Sequence, residues 1–331
     1  MFGIEELKDR IEITNTTVEC PVKGCDVKVR RQRVVFKREE KFKCQKHNIY
    51  ISPSTFVYFN ELDNVLWQEK DDINLFKRIK NVKRVTGIAH EKSEDAITWN
   101  VFRFLDKYNL LESILSSITG YNINELELIF WSYSQFRQYA WDPLLNARIE
   151  FGESNNIKNA INEGSEPDLI VKSDKALFFV EAKLTSDNKT PSDKEGIEDK
   201  IKNPKKYTTG GNSWFEKVFI SDYKTIIHEQ KYELMRFWLI GSWIAHNLDL
   251  DFYLVNLVLS EREKDIETVF NKHIRNNERR KFIRITWEDI YKRVLNSDIS
   301  TVDKDVIIRY FKNKAIGYDG NGRLQKAFTI L

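Results

Sequence analysis

Residues 167–183 read Pro167-Asp168-Leu-Ile-Val-Lys-Ser-Asp-Lys-Ala-Leu-Phe-Phe-Val-Glu181-Ala-Lys183. Leu169–Val171 and Ala176–Leu184 are short runs rich in β-branched and aromatic side chains, and the polar Lys172–Lys175 between them spells a turn, so the stretch predicts a β-hairpin. With Ser173-Asp174 as a two-residue turn, or Lys172–Lys175 as a four-residue one, Val171 pairs with Ala176 and Asp168 falls opposite Phe179. Side chains alternate faces along a strand, so Phe179, Glu181 and Lys183 share a face and Asp168 joins them. A slip of one residue would send Asp168 to the other face.

Two carboxylates converging at one sheet edge raise each other's pKa unless a divalent cation lies between them. Oxygen ligands suit Mg²⁺, which keeps room for phosphate oxygens, and a lysine two residues on can orient or deprotonate a water beside the metal. A cross-strand surface ion pair is the bland reading. It fits poorly with acids and a lysine embedded in a run apolar enough to be buried on both faces.

Pro167-Asp168, twelve residues, then Glu181-Ala182-Lys183 resembles the PD-(D/E)xK motif of the restriction-endonuclease-like nucleases, here set in a hairpin between helices over roughly residues 90–290. The resemblance implies phosphodiester hydrolysis dependent on Mg²⁺ or Mn²⁺, with Asp168 and Glu181 as metal ligands and Lys183 activating water. An acid on the first helix often completes such a site, and Glu94 is the candidate, with Glu150 and Glu153 as rivals. A polar residue from the helix after the lysine is also expected, Gln230 being one choice.

The 331 residues, 41% hydrophobic and 13% aromatic, can bury a sizeable core. The net charge of +3 neither demands nor excludes nucleic acid. The opening Met-Phe-Gly-Ile-Glu-Glu-Leu-Lys lacks the pattern of a signal peptide, and the longest apolar stretch, Phe237–Leu248, is too short and interrupted to span a bilayer. A cytoplasmic protein without a membrane partner is the expectation. No P-loop, G-x-S-x-G or GxGxxG occurs, which weakens ATPase, hydrolase and dehydrogenase readings of those motifs.

All three cysteines lie near the N-terminus, in Cys20-x4-Cys25 and Cys44-x2-His47. An odd count confined to one region argues against disulfides and for a tetrahedral Zn²⁺ held by Cys20, Cys25, Cys44 and His47. The segment resembles a zinc ribbon, with Lys41–Lys43 leading into the second knuckle and Ile49–Tyr58 as its exit strand. From Lys28 to Lys46 nine basic residues face two acids, a difference of +7, which suits a phosphate backbone, although a solvated hairpin face gives the same pattern.

Farther along, Ser93 is a helix N-cap, with Ile97, Val101, Phe104, Leu105 and Tyr108 at helical spacing. A second helix over Asn124–Tyr139, a strand over Leu144–Phe151, a polar flap or disordered excursion over Ser186–Asn212 and one long helix over Ile226–Asn247 are predicted next. Strands at Phe252–Leu259 and Lys281–Thr286 and a helix at Trp287–Val294 follow.

The whole predicts an α/β fold: a mixed central β-sheet flanked by helices, restriction-endonuclease-like, with a small N-terminal zinc ribbon. Residues 1–60 form the zinc module, 61–90 a connection and 91–331 the nuclease domain. The expected function is Mg-dependent cleavage of DNA, with room for a homodimer. A nucleic-acid-binding protein on an inactive nuclease fold is the alternative, and a zinc-stapled interaction scaffold is a third class that leaves the acids unexplained.

Overall fold

The computed structural model describes residues 6–82, 87–189 and 205–328. The chain forms two compact units, one from residues 1–73, 85–111 and 287–331, the other from 74–84 and 112–286. These limits do not coincide with boundaries at 60 and 90.

Among the described residues the first unit holds three small sheets. Strands β1 (Thr17–Glu19) and β2 (Lys28–Arg30) pair antiparallel, and β3 (Lys43–Cys44), β4 (Ile49–Ile51) and β5 (Phe56–Tyr58) make a three-stranded meander. Ile49–Tyr58 is therefore a hairpin rather than one exit strand. Pro53 cannot donate to a ladder, and the chain reverses where Ser52 N donates to Thr55 O (2.9 Å) and Thr55 N to Ser52 Oγ (2.9 Å). The expected helix is Glu94–Lys107, capped by Ser93 Oγ accepting from Ala96 N, with Ile97, Val101, Phe104 and Leu105 buried. A hairpin of Ala315–Tyr318 and Leu324–Lys326 closes this unit: Ile11 N donates to Gly322 O (2.8 Å) and Leu324 N to Asp9 O (2.9 Å). Gly322, at φ 74°, is required there, since a Cβ would lie 2.0 Å from Ile11 O.

The second unit is built on a six-stranded mixed sheet flanked by helices. Its strands are β6 (Glu127–Phe130), β7 (Tyr133–Ser134), β8 (Leu169–Lys172), β9 (Ala176–Ala182), β10 (Asp251–Val258) and β11 (Arg280–Thr286), in the order β11-β10-β9-β8-β6-β7. β9, β10 and β11 run parallel, while the β8–β9, β6–β8 and β6–β7 pairs are antiparallel. Every residue of β9 is buried, as central parallel strands require, which explains the unbroken apolar run around Glu181. Helix Tyr232–Asn247 packs on this sheet at Gly241, where a Cβ would meet the Phe252 ring at 2.3 Å and the Phe179 ring at 3.1 Å.

Three expected elements differ. Asn124–Tyr139 is the β6–β7 hairpin, turned at Trp131 and Ser132 with φ of 45° and 76°, because Leu128, Ile129 and Phe130 complete a ladder with β8 that outweighs local periodicity. Leu144–Phe151 is the body and C-cap of helix Asp142–Glu150, where Pro143 presets the first turn. The long helix breaks into Tyr223–His228 and Tyr232–Asn247, with Gln230 between them at φ 60°. Of the expected excursion over Ser186–Asn212, residues 190–204 lie outside the described residues. Lys205–Val218 is helical on both sides of a kink at Gly210–Ser213.

Candidate functional site

The hairpin register carries the first correction. Leu169 pairs with Val180 and Lys172 with Leu177, and the turn sits at Asp174-Lys175, where Ser173 N donates to Ala176 O (2.9 Å). The ladder is thus shifted by two residues from the expected one. Continued by one residue, it sets Asp168 opposite Glu181 rather than Phe179. An even shift keeps side chains on their faces, so the predicted convergence survives it.

Asp168 Oδ2 accepts from Ala182 N (2.8 Å), which ties the acid to the strand residue between Glu181 and Lys183. Lys183 Nζ lies 2.5 Å from Glu181 Oε1 and 3.9 Å from Glu233 Oε2, and Lys183 N extends the parallel ladder by donating to Leu257 O (2.8 Å). Burial pushes the Lys183 ammonium toward a lower pKa, but Glu181 and then Asp168 outweigh it and hold it above the ordinary lysine range. Lys183 is accordingly a cation among carboxylates.

The same register runs on across the sheet, Glu181 beside Asn256 on β10 and Asn256 beside Arg284 on β11. These polar residues lie at the carboxyl ends of parallel strands, the edge where open α/β sheets hold ligands. Buried Asn256 accepts from Asn188 Nδ2 (2.6 Å) and donates to Glu263 Oε2 (2.9 Å), while Asn188 N donates to Glu263 Oε1 (2.9 Å). The segment after Lys183 is thereby fastened to β10. On the other side, the buried Arg148 guanidinium donates to Ala160 O (2.7 Å) and Ser165 O (2.7 Å), fixing the approach to Pro167-Asp168.

The proposed extra acids are placed as follows. Glu94 opens the Ser93-capped helix of the first unit. Glu150 Oε1 accepts from Gly211 N (3.0 Å). Glu153, its side chain 2% exposed, takes Ser165 N (2.6 Å), Ser165 Oγ (2.5 Å) and Tyr207 OH (2.9 Å) and faces Arg236 at 3.8 Å, so its oxygens are engaged in a buried network. Gln230 occupies the break between two helices. Sequence reasoning missed Glu233, hidden by treating that break as continuous helix, and Asn256, whose signal was legible as the one amide in the apolar run Phe252–Val258.

In the first unit Cys20, Cys25, Cys44 and His47 bring one ligand atom each within 4.8 Å of the others, the one such cluster of three or more among the described residues. Cys20 Sγ and Cys44 Sγ each lie 3.6 Å from His47 Nδ1, and Cys25 Sγ lies 3.9 Å from Cys44 Sγ. Tetrahedral bonds of about 2.3 Å to sulfur and about 2.0 Å to nitrogen imply edges of roughly 3.8 and 3.5 Å. The four residues therefore fit a metal such as zinc. Burial pushes the Cys20 thiol well above its ordinary pKa, so a thiolate at that position needs a cation to compensate it.

No protein-family model, curated protein or solved structure matches this chain. Among the described residues no helix is long and apolar enough to cross a membrane.

Proposed function

We propose that the second unit is a Mg²⁺-dependent nuclease acting on DNA, with a restriction-endonuclease-like sheet of the PD-(D/E)xK kind. The observation that carries this reading is Asp168 set opposite Glu181 with Lys183 against the latter. Hard carboxylate oxygens at the carboxyl ends of parallel strands fit Mg²⁺ or Mn²⁺, and Asp168 and Glu181 would hold it. The ion, when bound, supplies Lewis-acid polarisation of a phosphoryl oxygen. Lys183, kept cationic by its neighbours, offsets charge developing on the phosphoryl group and orients the attacking water. Glu233 orients Lys183 from the first turn of its helix. Asn256, Asn188 and Glu263 hold the strand end rigid, which such a site needs.

The Cys20, Cys25, Cys44 and His47 set fills all four tetrahedral positions. We assign it a structural Zn²⁺ with no open position for chemistry.

Incubation of plasmid, linear duplex and single-stranded DNA with and without Mg²⁺ tests the reading. Cleavage that appears only with the divalent ion supports it, and inert DNA under both conditions rejects it.

A further inference from the structure

The loop joining β2 to the second knuckle is held shut rather than left slack. The buried Gln32 amide donates to Ile51 O (2.8 Å) and accepts from Lys37 N (2.6 Å), closing a short loop over residues 32–37. Phe36 turns inward, its ring 6.4 Å from Tyr50 and 5.7 Å from His90. Guanidinium groups brace the base, Arg31 Nη1 on Thr14 O (2.9 Å) and Arg33 Nη2 on Asn15 O (2.9 Å). At the tip, Val34 and Val35 are 86% and 65% exposed. Two adjacent β-branched side chains facing water on a braced loop present an apolar tip that a partner surface can cover.

Their surroundings say what does. Arg30, Arg31, Arg33, Lys37 and Arg38 surround the tip, with no acid between Val27 and Arg38. Among the described residues, no carboxylate lies within ion-pair distance of Arg30, Arg31, Arg33 or Arg38, whereas Lys28, Lys41 and Lys43 each have one. Guanidinium forks match phosphate oxygens, and two of them are fixed on backbone carbonyls, a rigidity suited to a fixed array of phosphates rather than to fluid lipid. Two valines are enough for one base step and too little apolar area to anchor a bilayer. Single strands are bound largely by stacking on exposed aromatic rings, and this loop has turned its ring inward.

We propose that the Gln32–Lys37 loop is a duplex-DNA contact, its arginines on the backbone phosphates and Val34–Val35 entering the minor groove as an apolar wedge. This site lies in the first unit and is independent of the cleavage chemistry assigned to the second.

The test uses the full zinc-loaded chain in Ca²⁺ buffer without Mg²⁺, so that binding is read apart from hydrolysis. Fluorescence anisotropy compares a labelled duplex, the same single strand and phosphatidylserine vesicles across a salt series. Wild-type protein should prefer the duplex and raise the fluorescence of 2-aminopurine placed in it. The exposed double variant Val34→Ser/Val35→Ser should bind the duplex about tenfold more weakly, with an unchanged salt slope and no 2-aminopurine signal. Arg33→Gln/Arg38→Gln should reduce the slope of log K against log salt by about 2. Preference for single strands or vesicles, or unchanged duplex binding in either variant, would overturn the proposal.

Discussion

Lys183 Nζ sits 2.5 Å from Glu181 Oε1, two residues back along the chain, where the parallel ladder has just run past β9. The ammonium thereby marks where cationic charge is favoured at this sheet edge.

If that edge hydrolyses DNA, Asp168→Ala, Glu181→Ala and Lys183→Ala should each lower cleavage at least about a hundredfold, a loss of roughly 3 kcal/mol of transition-state stabilisation. Folding, followed by circular dichroism, should persist. Glu233→Gln should cost only about two- to fivefold, because Glu233 is 40% exposed and acts through Lys183 at 3.9 Å. Equal cleavage by all four variants would remove the assignment.

Zinc removal separates the two units. Purified protein should contain one zinc per chain by elemental analysis. Cys44→Ser should unfold the Cys/His module, since a core this small depends on its metal, while Mg²⁺-dependent cleavage of short substrates persists. Metal-free protein of undiminished stability is the outcome that would refute the site.

Gly241→Ala tests the packing of the central helix. The added methyl meets two buried rings, and the expected cost is about 2 kcal/mol or more, read as a lowered denaturation midpoint with an unchanged m-value.

His273 gives a pH signature. It is buried, with Nδ1 2.9 Å from Ser221 Oγ and Nε2 3.2 Å from Glu229, and burial outweighs the pull of Glu229 to hold its pKa below the ordinary histidine value. The unfolded chain then takes the proton first, so the contribution is complete above about pH 6.5 and is lost as pH falls through that value. Between pH 7.5 and 5.5 the wild type should lose more stability than His273→Gln, by at most about 1.4 kcal/mol per pH unit. Parallel pH profiles of the two proteins would refute this.

Much of the candidate site was legible because its signals are local. An acid, a turn and a second acid with a lysine fix a face by parity alone, and parity tolerated the two-residue error in register. The clustering of Cys20, Cys25, Cys44 and His47 was readable from spacing in the same way. What escaped was decided by distant partners. Leu128, Ile129 and Phe130 look helical until β8 offers them a ladder, and Glu233 reaches Lys183 only because the chain breaks at Gln230. Asp142–Glu150 was misread against a signal in plain view, Pro143 in its first turn.

The hydrogen bonds from Ile11 to Gly322 and from Leu324 to Asp9 have a consequence for synthesis. The sheet-bearing unit draws on residues 74–84 and 112–286, all made before residue 287, and can fold while translation proceeds. The cysteine-bearing unit emerges first yet lacks its closing hairpin until residues 315–326 leave the ribosome. The Cys/His cluster and the valine-tipped loop therefore wait while the sheet-bearing unit is made, and a stop near residue 300 would damage the cysteine-bearing unit more than the sheet-bearing one.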